Sequence, residues 1–182
     1  MHEPVYEPVY EPVYSDRVER ISELRLPTTA VVVRLALVGG APAAAEMFVV
    51  TDARRRGQLL DDLAAQLASG ASFVPVRWSN RVRLLGTHAI AWVAVARPVD
   101  DAQASESSDE LTLYDREHRV EIELAHGTKL IGTMLDSSPA DRPRVIDHLN
   151  RAGRYLRLWT TDEHYLINTT QVVAVTELGE AR

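Results

Sequence analysis

Six histidines, His2, His88, His118, His126, His148 and His164, together with carboxylates such as Asp61, Asp62 and Asp147, are the groups in this 182-residue chain that could move protons or hold a metal. Their spacing supports neither role. There is no His-x-x-x-His pair and no helical Glu-x-x-His pair, the patterns that set two ligands on one helix face. The chain has no cysteine, which excludes disulfides, thiolate nucleophiles and cysteine-bound zinc or iron–sulfur centres. It also lacks a Gly-x-Ser-x-Gly elbow, a Walker loop and a dinucleotide fingerprint; Gly39-Gly40 stands alone in an Ala-Pro loop. A composite site from Asp147, His148 and His164 is the one cluster that folding would have to create. The sequence therefore predicts a non-enzyme, with no catalytic residues, metal ligands or cofactor.

Arginine is the polar residue in local excess. Arg54, Arg55 and Arg56 precede one predicted helix, and Arg142, Arg144, Arg151, Arg154 and Arg157 surround another. Guanidinium groups bind carboxylates, phosphates and planar surfaces, and Arg144 and Arg151 lie about two helical turns apart. Arg142, Arg144, Arg151 and Arg154 form a candidate patch for an anion or a partner. No basic tail or interleaved aromatic platform accompanies them, so a protein partner is favoured over nucleic acid. A second candidate lies at the start of the chain, where Glu-Pro-Val-Tyr occurs three times. A proline every fourth residue forbids a helix and predicts extended chain. The Val5-Tyr6, Val9-Tyr10 and Val13-Tyr14 pairs then read as a repeated docking peptide, able to add to a sheet edge or fill shallow pockets.

These candidates must be positioned by five predicted segments: a tail at 1–14, a short amphipathic helix at 15–26, a domain at 27–98, an acidic linker at 99–110 and a second domain at 111–182. The two domains are copies of one another. Phe73 to Ala94 lies over Tyr155 to Thr176 at a constant offset of 82, without a gap, and each copy reads as two short strands around a tight turn, Gly86-Thr87 or Asn168-Thr169. Upstream, Gln58–Leu63 matches Arg144–Leu149 in a helix closed by Gly70 or Gly153. Val31–Leu35 and Val120–Leu124 are first strands. Gly132 sits inside a second strand, as a sharp bend requires, where the other copy has Val49 after a long Gly39–Ala45 loop. Leu60, Leu63, Phe73, Trp92, Ile146, Leu149, Tyr155 and Trp159 are the expected core. The fold class is mainly β (α+β): two tandem five-stranded SH3- or Sm-like barrels, each with one inserted helix. About 70 residues bury a marginal core alone, which favours packing of the copies on each other.

Gly127-x-x-Leu130-x-Gly132-x-Met134, followed by Asp147-x-Leu149-Asn150 and Leu156, resembles the first signature of Sm-like and Hfq-like barrels. The run Arg142–Asn150, with Tyr155-Leu-x-Leu158 and Leu166-Ile-Asn168-x-x-Gln171, is similar to a bacterial barrel domain of unknown function, in which a lysine stands where this chain has Thr169. Asp136-Ser-Ser138 with Arg116 and Arg119 resembles the cyclic di-GMP clamp of PilZ barrels, but Asp141 replaces the expected glycine and the arginines are three apart instead of four. These resemblances imply a small bacterial β-barrel, with nucleotide or nucleic-acid binding as the alternative to protein binding.

The formal charge of −6 is not spread evenly. Glu3, Glu7 and Glu11 in the tail and Asp100, Asp101, Glu106, Asp109 and Glu110 in the linker face no Lys or Arg there. Without those eight acids, 18 remain against 20 bases, so the body carries about +2. No apolar run approaches the ~18 residues of a membrane span and no basic-then-apolar leader is visible, so the expectation is a cytoplasmic protein without membrane insertion. Together these features predict an adaptor or assembly protein that binds protein partners, or itself as a homo-oligomer, through sheet edges and the tail.

Overall fold

A computed structural model of the chain describes residues 28–50, 59–97, 116–136 and 144–180. The first repeat runs β1 (Thr28–Leu37), β2 (Ala43–Val50), α1 (Leu59–Ala68), β3 (Phe73–Trp78), β4 (Arg81–Gly86) and β5 (Ile90–Ala96). The second runs β6 (Arg116–Leu124), β7 (Lys129–Asp136), α2 (Val145–Arg151), β8 (Tyr155–Trp159), β9 (Glu163–Asn168) and β10 (Val172–Glu180). One-turn 3-10 segments, Thr87–Ala89 and Thr169–Gln171, replace the expected tight turns between the last two strands of each. Strands form where β-branched and aliphatic residues alternate. In β1, for example, Val31, Val33 and Leu35 are buried while Val32 and Arg34 point out.

The ladders correct the alignment of the first strands. Val33 pairs with Ala45 and Val120 with Gly132, and both pairs are followed by a buried methionine, Met47 or Met134. The copies therefore differ there by 87 positions, so Ala45, not Val49, stands at the place of Gly132. The two hairpins are equally long. Gly40 N–H donates to Leu37 O at 3.0 Å and Gly127 N–H to Leu124 O at 2.8 Å, which shortens the expected Gly39–Ala45 loop and puts Ala43 to Ala45 in β2. A small residue is needed because a Cβ at Gly132 would lie 2.5 Å from the Trp159 carbonyl oxygen and 2.8 Å from Leu158 Cγ. In the helices the buried Leu63 and Leu67 of α1 answer to Val145 and Leu149 of α2, an offset of 82 that corrects the expected match of Leu63 with Leu149. Gly70 has a left-handed φ of +83°, whereas Gly153 has no positive φ.

All ten strands join one antiparallel sheet in the order β10-β6-β7-β8-β9-β5-β1-β2-β3-β4. The sheet is not closed, so in place of two closed barrels there are two five-stranded units in one continuous sheet. Within each unit the fifth strand pairs with the first. Closure would require that fifth strand to pair with the unit's own fourth; instead β5 gives its other edge to β9 of the second unit.

Two hydrophobic cores lie on either side of this seam. Val33, Leu35, Met47, Leu63, Leu67, Val74, Val76 and Ile90 build the first; Val120, Ile122, Leu124, Met134, Leu156 and Leu158 build the second. Each unit also contributes to its neighbour: Leu166 is buried in the first core with Tyr155 packed against it, and Ala36, Ala91, Trp92 and Ala94 are buried in the second. Two expected core residues are exposed instead. Phe73 is 59% and Ile146 53% accessible, because Val74 and Val76 take the inward positions of β3 and Val145 that of α2.

Candidate functional site

The seam shows what an edge of this sheet requires. Trp92 pairs with Ile167, Val93 with Leu166, Ala94 with Tyr165, Val95 with His164 and Ala96 with Glu163. Across β5, Arg34 on β1 donates to Glu163 and, at 2.7 Å, to the Tyr165 hydroxyl, which itself donates to Glu163 Oε2 at 2.6 Å. The Arg34 guanidinium also lies 5.3 Å from the centre of the Trp92 ring, and Trp92 meets Tyr165 edge-on at 5.3 Å. Burial, reinforced by the bond to Glu163, pushes the Tyr165 hydroxyl up to about 12. Burial, with Arg97 nearby, holds His164 below the ordinary histidine range. Asn168 closes the seam: fully buried, it donates to the Ile90 carbonyl at 3.0 Å and accepts from the backbone and hydroxyl of Thr170.

The two ends of the sheet are β4 and β10, each with one strand neighbour among the described residues. Both carry large apolar side chains into solvent, Val82 (62% accessible) and Leu84 (70%) on β4, Val173 (65%) and Leu178 (47%) on β10. An unpaired row of backbone N–H and C=O groups flanked by such side chains is a surface that accepts a further strand. Arg81 and Arg83 are exposed on β4, and Arg83 stacks 5.6 Å from the centre of the Trp78 ring. On the opposite end Glu177 lies on β10 and bonds His118 Nδ1 at 3.1 Å.

Among the described arginines of the predicted patch, Arg151 and Arg154 are hydrogen-bonded within the protein. Arg154 is half-buried and donates to Thr87 Oγ1 at 3.0 Å in the other unit, beside the Tyr155 hydroxyl. Arg157 pairs with Asp61 on α1, and Arg151 donates back to the Asp147 carbonyl at 3.0 Å. Arg144 is exposed at the start of α2. Arg142, Arg54 to Arg56 and the tail residues Val5, Tyr6, Val9, Tyr10, Val13 and Tyr14 lie outside the described residues, as do Asp141 and Ser138. His164 faces Trp159 across the β8–β9 ladder, and among the described residues no group of three or more His, Asp or Glu is placed to hold a metal. Sequence reasoning missed the seam residues Arg34, Glu163 and Tyr165 and the edge residues Leu84 and Val173. For Leu84 and Val173 a signal was available in the repeat itself, since the matched positions, Leu166 and Ala91, are also apolar; for Arg34, Glu163 and Tyr165 there was none, since their matched positions carry Glu121, Arg81 and Arg83.

No protein-family model, curated protein or solved structure matches this chain.

Proposed function

We propose that this chain is a non-catalytic protein-binding and assembly module that works by strand addition at the two open ends of its sheet, with the Glu-Pro-Val-Tyr repeat as an additional adhesive segment. The observation that carries this reading is that β4 and β10 each have one strand neighbour among the described residues and expose Val82, Leu84, Val173 and Leu178. Backbone hydrogen bonds would supply affinity there and the alternate side chains specificity. The arrangement of charge supports a structural use of the polar groups: Arg34, Glu163, Tyr165, Arg154 and Arg157 all hold the two units together. That use of Arg154 and Arg157 also weakens the alternative of a nucleotide or nucleic-acid face. Each unit keeps the element order of a small barrel, and we read the fold as an opened relative of the Sm-like type.

Leu84→Lys on β4 and Val173→Lys on β10, each in the full chain, test the proposal. A lysine on a strand edge opposes further pairing. The expected outcome is a native circular-dichroism spectrum with a changed mass by light scattering, or a changed set of proteins recovered by affinity capture. Parent-like mass and parent-like capture for both variants would refute the reading.

A further inference from the structure

The units follow one another in the same direction. Reading along the sheet, the second contributes its fifth, first, second, third and fourth strands, and the first then contributes its own in that same sequence. The seam is therefore a head-to-tail contact between a fourth strand, β9, and a fifth strand, β5, and not a two-fold one. A head-to-tail contact leaves the complementary half of itself free at each end, here a fourth strand, β4, and a fifth strand, β10.

Leu84, Phe73 and Val173 are exposed at these ends, and their counterparts are covered at the seam. The second unit gives Leu166 and Tyr155 to the neighbouring core; their counterparts at the offset of 82 are Leu84 and Phe73, 70% and 59% accessible, whereas Leu166 is fully buried. On the other strand, Ala91 is fully buried and its counterpart Val173 is 65% accessible. The two strands even share their irregularity. The β1–β5 ladder slips between Trp92 and Ile90, and the β6–β10 ladder slips at the matched place, between Ala174 and Val172. At the seam α1 packs on β9. The matching helix, α2, exposes Ile146 at the place of Ala64, which packs against the first core.

Charge is complementary as well, with its sign exchanged. Arg34 lies beside Ala94 and reaches Glu163 and Tyr165. Glu121 lies beside Thr176, the counterpart of Ala94, and the counterparts of Glu163 and Tyr165 are Arg81 and Arg83.

We infer that the occupant of each open end is a second copy of this chain, with β10 of one molecule pairing antiparallel to β4 of the next in the register of the seam. This rests on the strand-addition reading above and names its partner. Val175 then stands opposite Leu84, Thr176 opposite Arg83 and Leu178 opposite Arg81, while Glu121 of one molecule meets Arg81 and Arg83 of the next. The assembly is head-to-tail throughout, a ring of copies if the rotation closes and a filament if it does not.

The natural absence of cysteine makes the register directly testable. Leu84→Cys and Val175→Cys are made separately in the full chain, mixed and mildly oxidised. Directly opposed residues of an antiparallel pair fall within disulfide range. The expected result is a cross-link between the two variants in the mixture and little in either variant alone. Replacing Arg81 and Arg83 by Glu in the Leu84→Cys chain should reduce the cross-link at least tenfold, and Glu121→Arg in the Val175→Cys chain should restore it. Restoration separates an interface effect from a folding defect. Equal cross-linking within a single variant, or none in the mixture, overturns the inference. If the cross-link is absent while Leu84→Lys still alters captured proteins, the second copy alone is excluded as occupant; if Leu84→Lys and Val173→Lys also change neither mass nor capture, strand addition falls with it.

Discussion

At the scale of single residues, two positions show how closely the backbone dictates side-chain identity. Gly132 lies under the Trp159 carbonyl, where a methyl group would meet backbone at 2.5 Å. We expect Gly132→Ala to destabilise the protein by about 1–3 kcal/mol through overpacking, read from the shift of the urea midpoint, although Ala45 is accommodated at the matched place of the first unit. Asn168 is the second. Its amide satisfies the Ile90 carbonyl of the other unit and its oxygen caps the turn at Thr170. Asn168→Ala leaves a buried carbonyl without its donor, so a loss of about 1–3 kcal/mol is expected by the same measurement. The glycine was legible in the sequence as a sharp bend. The asparagine was legible only as a turn residue, because its partner Ile90 is 78 positions away.

At the scale of elements, the seam between β5 and β9 couples two titrations to stability. Below about pH 10 the Tyr165 phenol is protonated in both folded and unfolded chains. Between about 10 and the folded value of about 12 the unfolded chain ionises first, so stability present below that window is lost as pH rises through it. The thermal midpoint of Tyr165→Phe should therefore fall less than that of the parent over this range. His164 acts at the other end. Its folded form resists protonation, so as pH falls below the ordinary histidine value of about 6.5 the unfolded chain binds the proton more readily and stability declines. His164→Gln should flatten the loss of thermal midpoint between about pH 7 and 5. Nothing in the local sequence distinguishes these two side chains from exposed ones. Alternation along β9 marks a strand, but burial of both its faces follows from packing against β5, which is encoded some 70 positions earlier.

At the scale of the whole molecule, the cores are not independent. Trp92 belongs to the first unit by sequence and is buried in the core of the second. Trp92→Ala should cost about 3–5 kcal/mol. Because the seam is common to both units, the full chain should unfold in one transition, with near-ultraviolet and far-ultraviolet signals coincident in urea. Two separated transitions would show instead that each unit holds together without its neighbour.

The sequence by itself determined the repeat, the strand and helix order of each copy and most inward-facing residues, since these depend on alternation, turn chemistry and the 82-position match, all of them local or periodic signals. Only the tertiary structure decided that the sheet stays open, that Phe73 and Ile146 are exposed, that Leu166 is buried in the core of the other unit, and that Arg154 and Arg157 are tied into the seam. Those outcomes depend on which strand edge meets which. Backbone edges are chemically alike along every strand, so the choice is made by the side chains of two distant segments packing together.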